Sequence, residues 1–404
     1  MNYKAHFSVT TFNLLAPCYH KVELSDCSTQ QQQNKRQPPE RTICAAEKLN
    51  CRNGECVTSP RIARPYSPTS GSNRSLVPMS ALKKWSQFFL ESIEKYRGSF
   101  SCKTLESQTK YRWKARAQKL VDFIKEQLTT DVICLQEYWC TQPEWCSIFQ
   151  ENFSREYEMY TAKRSGKKAD GLVTMVRRNS CWKVVDTEVY YFHDCGERLL
   201  LATVLSLNKA EGDLQQEKEV PFQLLLINTH LSFPHGSWGL SLRLNEVRKL
   251  LDFVDSYLEL HPGQVKAVVL VGDFNATLED PVCEQIVSRG FTNSYLLTHG
   301  NENVVTHCNH NGHSLPVDKV YYKLVAPYYN NAAENVLKSS QIGSSEMTFV
   351  TSLLTENTKV RMIPVEATVF PPHLGAEQWP TISEYNLSDH RPLRVLFEVQ
   401  FQDV

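Results

Sequence analysis

Apolar residues recur along this chain with two periods, and the places where the period changes divide it into elements. From 6 to 15 they alternate and then run together, which predicts a first strand with Asn13 near its C-terminal end. Ala117, Leu120, Val121, Ile124 and Leu128 share one face of a helix, and Leu244, Val247, Leu251, Val254 and Leu258 share one face of another. Apolar runs predict strands over 131–137, 171–177, 182–191, 199–207 and 222–228, and again from Val268, where the run stops at Gly272. After Asp280 the pattern gives a short helix, a histidine-rich loop, a strand over 317–322, an irregular stretch to about 357, and closing strands over 360–369 and 393–399. Many strands with a few long helices between them predict a layered α/β sandwich with its helices outside. No internal repeat is visible.

One stretch breaks the pattern. From about 21 to 108 a glutamine run, Gln30 to Gln33, is followed by Pro38, Pro39, Pro60, Pro65 and Pro68, which are loop and disorder signals. Leu82, Trp85, Phe88, Phe89, Ile93 and Tyr96 keep helical spacing inside it and predict one amphipathic helix docked on the body. The chain therefore reads as a single domain over 1–404 carrying an insertion at about 21–108. Lys and Arg balance Asp and Glu at 44 each, yet 21–116 holds 18 basic and 8 acidic residues. That surplus suits an anionic partner such as RNA or a lipid surface, and equally a solvated insertion.

At 404 residues and 41% apolar content the chain can bury a sizeable core. No apolar run approaches the ~18 residues that cross a bilayer, and the start lacks a signal-peptide pattern. The thirteen cysteines are odd in number and irregularly spaced, which fits reduced thiols. An intracellular protein, cytoplasmic or nuclear, is expected.

The chemistry-bearing residues collect at strand ends: Asn13, Glu137, His230, Asp273, Asn275, Asp318, Asp389 and His390. Asp273 and Asn275 are two residues apart and so able to face the same way. Carboxylates, amides and a histidine in such places are what metal-assisted attack on a phosphate requires. Taken singly each has a plainer explanation. Gly-Asp-Phe-Asn is a common turn, a histidine after an apolar strand is usually structural, and a lone Glu ending a strand is usually a solvated rim residue.

Taken together, Thr-Phe-Asn-Leu-Leu-Ala at Asn13, Cys-Leu-Gln-Glu at Glu137, Asn-Thr-His-Leu at His230, Gly-Asp-Phe-Asn at Asp273, Val-Asp at Asp318 and Ser-Asp-His-Arg-Pro at His390 resemble the endonuclease/exonuclease/phosphatase superfamily. The likeness covers about 1–20 and 110–404. It is nearest to the deadenylase-like branch, and within it to the plant calcium-binding members. No Asp-x-Asp-x-Asp-Gly-x5-Glu loop occurs, so calcium binding is not expected. The resemblance implies a four-layer α/β sandwich, deoxyribonuclease I-like, in which two packed mixed β-sheets are flanked by helices. It further implies a Mg²⁺-dependent phosphoesterase, with Mn²⁺ as a substitute metal. Glu137 is then the principal metal ligand, with Asn13 and Asp389 completing the metal group. His230, Asp273, Asn275, Asp318 and His390 are the catalytic group, and either Asp273 or His390 is the general base.

A 3′-exonuclease on RNA or poly(A) is the leading reading. Behind it stands a phosphatase or phosphodiesterase on a small-molecule or lipid phosphate, because Leu-Ser-Phe-Pro-His follows His230 where typical deadenylases have Trp or Asp. A catalytically inactive binding protein is third, and the presence of Glu137, Asp273 and His390 speaks against it. Three weaker features fit plainer roles. His307, His310 and His313 beside Cys308 read as a surface or substrate-facing loop, Arg198 as a partly exposed strand arginine, and Cys44, Cys51 and Cys56 lack zinc-site spacing.

Overall fold

The computed structural model describes residues 3–23, 103–208, 222–234, 238–301, 304–309, 311–325, 360–375, 379 and 385–401. The amphipathic helix expected over 82–96, the loop over 208–219 past its first residue, and the irregular stretch from 326 lie outside the described residues.

Two six-stranded mixed sheets form the body. In the first, β15 (Val360–Val369), β16 (Leu393–Phe401), β1 (Tyr3–Asn13), β4 (Val132–Tyr138), β6 (Gly171–Arg177) and β5 (Tyr157–Lys163) lie in that order. In the second the order is β11 (Thr292–Asn293), β14 (Asp318–Leu324), β10 (Val265–Asp273), β9 (Gln223–His230), β8 (Leu199–Leu207) and β7 (Trp182–Tyr191). Each sheet has one parallel pair at its centre, β1 with β4 and β10 with β9, and its other pairs are antiparallel. A parallel pair needs a long crossover. Helix α1 (Lys110–Gln127) leads into β4, and α3 (Trp238–Leu260) joins β9 to β10.

Strand alternation sorts the side chains into layers. Ala5, Phe7 and Val9 of β1 and Val269 and Val271 of β10 point between the sheets, into one apolar cluster with Val132, Leu224 and Phe397. The opposite face of the first sheet, with Phe12, Ile133 and Leu135, packs on Trp113, Leu120 and Ile124 of α1 and on Trp145 and Phe149 of α2 (Pro143–Phe153). The opposite face of the second packs Leu225, Ile227 and Leu270 on Val247, Leu250 and Val254 of α3, and on Ile286 of α4 (Pro281–Ser288). Helix, sheet, sheet, helix is the four-layer sandwich expected, and the strands over 171–177, 182–191, 199–207 and 360–369 have the expected bounds. Helix α2, strand β5 and the short helix α5 (Ser294–His299) were not anticipated.

Near one end of the sheets the inter-sheet layer turns polar. Gln136 Nε2 donates to Asn228 Oδ1 across the gap at 2.9 Å, Thr11 Oγ1 donates to Gln136 Oε1 at 3.1 Å, and Asn228 Nδ2 returns to the Val173 carbonyl at 3.0 Å. All three side chains are buried. Their bonds fix one sheet against the other directly beneath the ends of the parallel strands.

Gly272 closes β10 against β9. Its φ is +147°, and a Cβ there would stand 1.9 Å from the Thr229 carbonyl oxygen. Backbone cannot yield as a side chain can, so Gly272→Ala is expected to cost roughly 3 kcal/mol or more. Urea denaturation checks this, and an unchanged midpoint would refute the close packing of β9 on β10.

Candidate active site

Four of the expected residues sit at the C-terminal ends of the four parallel strands: Asn13 on β1, Glu137 on β4, His230 on β9 and Asp273 on β10. Register brings in the next. Asp318 opens β14 directly opposite Asp273, as His230 lies opposite it on the other side. His390 precedes β16, which runs antiparallel to β1 and so begins at the same end.

Asp273, only 1% exposed, is the hub. Its Oδ2 accepts from Asn13 Nδ2 at 3.0 Å and lies 3.4 Å from His230 Nε2 and 3.7 Å from His390 Nε2, while its Oδ1 accepts from the Asn275 backbone at 2.9 Å. Asp318 Oδ2 holds His390 Nδ1 at 2.8 Å. Asp318 Oδ1 is buried without a hydrogen-bond partner among the described residues. Asn13 also reaches Glu137 Oε1 at 3.4 Å, and Glu137 Oε2 accepts from the Ala16 backbone at 3.1 Å. Asn13 thus bridges two carboxylates, and its own oxygen accepts from Leu15 at 3.0 Å. The Asn275 amide donates one bond to the Leu231 carbonyl at 3.0 Å, leaving a second N–H. Asp389 is about one-third exposed at the rim. All eight residues therefore lie at one end of the sandwich.

The backbone is bent to achieve this. Glu137 and Asn275 both adopt left-handed conformations, with φ of 51° and 50°. At Glu137 the β4–β6 register slips between Leu135 and Tyr138, so the strand bulges where its carboxylate must turn. Left-handed geometry is tolerable for Asn and costly for Glu, and it persists where surrounding bonds hold it.

Burial sets the charges. Desolvation pushes the Glu137 carboxyl up to about 7, with Asp389 and then Asp170 adding to the rise. Asp273 is likewise pushed up by burial, while His390 pulls the other way. Burial alone would lower His390, but Asp318 and then Asp273 outweigh it and raise the imidazole to about 10. His230 moves oppositely, well below its ordinary value, because burial is reinforced by Arg198 and Arg164. The shifts favour the charged form of His390 and the neutral form of His230.

The donor set fits a hard divalent cation. Glu137 and Asp389 act on each other as like charges at the edge of a buried cluster, and an oxygen-seeking cation would relieve that repulsion. Atoms of Asp273, Asp318 and His390 also lie within 4.8 Å of one another, as do those of His307, Asp389 and His390.

Several supporting residues went unforeseen. Ser388 Oγ donates to the Asn13 carbonyl at 2.7 Å and accepts from the His390 backbone at 3.1 Å. Thr306 Oγ1 accepts from Val317 and Asp318 at 3.1 and 3.0 Å. Arg116 of α1 donates to the carbonyls of Leu14, Leu15 and Leu387 at 2.8, 2.7 and 2.9 Å, tying the exit of β1 to the segment before His390. The expectation of a partly exposed Arg198 is corrected: it is buried, with 8% exposed. Of the loop read as surface or substrate-facing, His307 is buried against His390, ring centroids 4.2 Å apart. His313 is exposed, and His310 lies outside the described residues.

The sequence profile of the Endonuclease/Exonuclease/phosphatase family matches residues 98–390. An uncharacterized calcium-binding protein of Arabidopsis thaliana is 31% identical over 229 residues, 54% of this chain and 46% of that protein. The match thus spans about half the length of that relative. Among solved structures, ANGEL2, described as a 2′,3′-cyclic phosphatase and solved with adenosine-2′,3′-vanadate, aligns with a TM-score of 0.52 at 14% identity, over 98% of this chain and 96% of that one. The human nocturnin catalytic domain with bound sulfate aligns with a TM-score of 0.46 at 17% identity, over 70% and 86%. Among the described residues no helix is long and apolar enough to cross a membrane.

Folded, metal-free protein keeps a proton on Glu137 up to about 7, whereas the unfolded chain releases it near 4.5. The folded state binds more protons in that window, so stability falls as pH rises through it. His390 adds a loss at higher pH, its contribution being complete below 6.5 and gone above about 10. Thermal midpoints of metal-free protein are expected to drop from pH 5 to 8, with Glu137→Gln flattening the lower part. A midpoint that climbs with pH would contradict the buried-acid arrangement.

Proposed function

This chain belongs to the endonuclease/exonuclease/phosphatase family, a class of phosphate-ester hydrolases, and from that premise we propose that it is a Mg²⁺-dependent phosphoesterase whose attacking water is activated by Asp273. The observation that carries the reading is the junction at Asp273: a buried carboxylate facing two imidazoles, one of them held charged by Asp318. A protonated His390 cannot accept a proton at neutral pH, which leaves Asp273 as the base. Asp273 takes the proton of the attacking water. His390 donates a hydrogen bond to a phosphate oxygen as charge gathers there, and Asp318 keeps it oriented. Neutral His230 and the second amide N–H of Asn275 hold the phosphate in line. Glu137 and Asp389 hold the cation, and Asn13 fixes Glu137 relative to Asp273. When bound, Mg²⁺ neutralises phosphate charge and orients the ester; Mn²⁺ suits the same oxygen ligands.

For substrate we propose RNA, cleaved exonucleolytically from its 3′ end, with poly(A) included. The likeness of the motifs to the deadenylase-like branch and the basic surplus of 21–116 support this, and so does the adenosine-2′,3′-vanadate with which ANGEL2 was solved. We assign the domain to 1–404, with the basic insertion as a second contact for an anionic partner. The Leu-Ser-Phe-Pro-His segment after His230 favours a second reading, a phosphatase or phosphodiesterase on a small-molecule or lipid phosphate.

Purified protein with Mg²⁺ offered labelled poly(A), mixed-sequence RNA, sphingomyelin and inositol phosphates is expected to shorten the RNAs from the 3′ end. His390→Ala and Asp273→Asn should each reduce turnover roughly 10²–10⁴-fold. Turnover of none of these substrates, or turnover indifferent to both substitutions, sinks the hydrolase reading. Cleavage of a non-nucleotide phosphate alone replaces the RNA reading with the second one.

Metal binding has its own signature. Protons compete with the cation for Glu137, so Mg²⁺ should raise the thermal midpoint more at pH 8 than at pH 5.5, and much less in Glu137→Ala. An equal rise in the variant would remove Glu137 from the metal group.

A further inference from the structure

The described tryptophans fall into two groups. Trp113, Trp139, Trp145, Trp182 and Trp379 are buried, none more than 8% exposed, whereas Trp238 is 82% exposed. An indole carries more apolar surface than any aliphatic side chain, and tryptophan is highly buried on average. Leaving one in water forgoes that burial.

Its mount is rigid and stands beside the catalytic cluster. Leu231, next after His230, donates its N–H to the Asp273 carbonyl at 2.9 Å, and its own carbonyl accepts from the Asn275 amide at 3.0 Å. Ser232 is tied by its N–H and hydroxyl to the fully buried Glu246 of α3 at 2.7 and 2.6 Å. Gly239 then packs on the end of this segment, where a Cβ would stand 2.7 Å from Pro234 Cα and 2.9 Å from its carbonyl carbon. Helix α3 therefore starts at the catalytic end of the sandwich, with Trp238 as its first residue. By chain length alone the Trp238 backbone lies within roughly 20 Å of Leu231, since three residues reach Pro234 and the Gly239 contact closes the rest. A nucleic-acid strand advancing about 3.4 Å or more per nucleotide spans that in a handful of nucleotides.

The extent of the apolar surface chooses the ligand. No other large apolar side chain of α3 is exposed until Leu260 at its far end. A protein partner or a membrane surface needs several such side chains side by side. One isolated ring close to a phosphate-ester site matches one planar base, and every base offers a π face. The base must be unpaired, because bases in a duplex are already stacked on their neighbours.

We propose that the Trp238 indole is a stacking platform for one unpaired base of single-stranded RNA, held a few nucleotides from the bond being cleaved. On a 3′-exonuclease that base lies on the 5′ side of the scissile bond, so the shortened strand stays bound while its new 3′ end advances. The choice of RNA rests on the ribonuclease reading of the catalytic cluster.

The test titrates metal-free full-length protein with octa-adenylate, followed by calorimetry and by tryptophan emission, so nothing is cleaved and the result is independent of turnover. The wild type is expected to bind, with its emission quenched. Trp238→Ala should weaken binding roughly tenfold and lose most of the quenching, and Trp238→Phe, which keeps a smaller ring, should fall between. Both variants should melt as the wild type does, because the ring is exposed. The salt dependence of binding should keep its slope in Trp238→Ala, since no phosphate contact has been removed. An octamer of the same backbone without bases should bind the wild type no better than octa-adenylate binds Trp238→Ala. No octamer binding by the wild type, equal affinity of wild type and Trp238→Ala, or a shallower salt slope in that variant each overturns the proposal. Trp238-dependent binding of phosphatidylserine vesicles without octamer binding assigns the ring to a lipid surface and overturns it too. Octamer binding that depends on Trp238 in a protein that shortens no RNA keeps the platform and removes the ribonuclease reading. RNA shortening with binding indifferent to Trp238 does the reverse.

Discussion

Everything at this end of the molecule follows from placing like charges together out of water. Glu137, Asp273 and Asp318 are carried by strand ends, and desolvation there favours the neutral forms of Glu137 and Asp273. The protein answers with geometry. Asn13 is wedged between two carboxylates, and His390 takes its charge from Asp318. Removing any one group would leave the others short of a partner. The cluster therefore acts as a unit, and the polar layer of Thr11, Gln136 and Asn228 beneath it keeps the two sheets from shifting apart.

Two parallel strand pairs make such a cluster possible. In each sheet the parallel pair sits at the centre and sends two C-terminal ends the same way, so four side chains from four distant stretches of sequence arrive at one place. Strand ends are stiffer mounts than loops, and positions opposite in register, such as Asp273 and Asp318, cannot drift independently. The cost appears in the backbone. Gly272 must be a glycine because β9 comes too close for a Cβ, and Glu137 must bend out of its ladder.

Much of this was legible in the sequence because strand and helix periods report directly on which face is buried. The runs at 171–177 and 199–207, and the motifs at Asp273 and His390, needed no knowledge of their neighbours. What stayed hidden depended on what lies above or beside an element. Arg198 looks like any strand arginine, yet it is buried in a cleft it shares with Arg164, Asp170 and Gly171. His307 belongs to a turn-rich stretch, and its bridge to His390 forms only in the folded chain. Arg116 lies on the predicted helix, one position before Ala117, yet no period reveals that its guanidinium will find three backbone carbonyls. Helix α2 escaped because Trp145, Phe149 and Phe153 mark its buried face at four-residue spacing in a stretch too short to stand out.

Arg116 also explains how the fold accommodates a long insertion so close to the site. The chain departs after Lys21–Glu23 and returns through Lys103–Leu105, and these two short strands pair with each other. Glu106 follows at once, buried and bonded to Arg116 by both carboxylate oxygens, with His20 at 3.2 Å. Burial alone would raise the Glu106 carboxyl, but His20 and Arg116 lower it to about 2, so it remains an anion at any physiological pH. The same Arg116 holds Leu14 and Leu15, just past Asn13, and Leu387, just before Ser388. The two ends of the insertion are thus fastened to each other and to the framework that positions Asn13 and His390. The closing contacts are made at the two ends of the insertion, and because closure cost grows only logarithmically with the length between them, that length adds little to it.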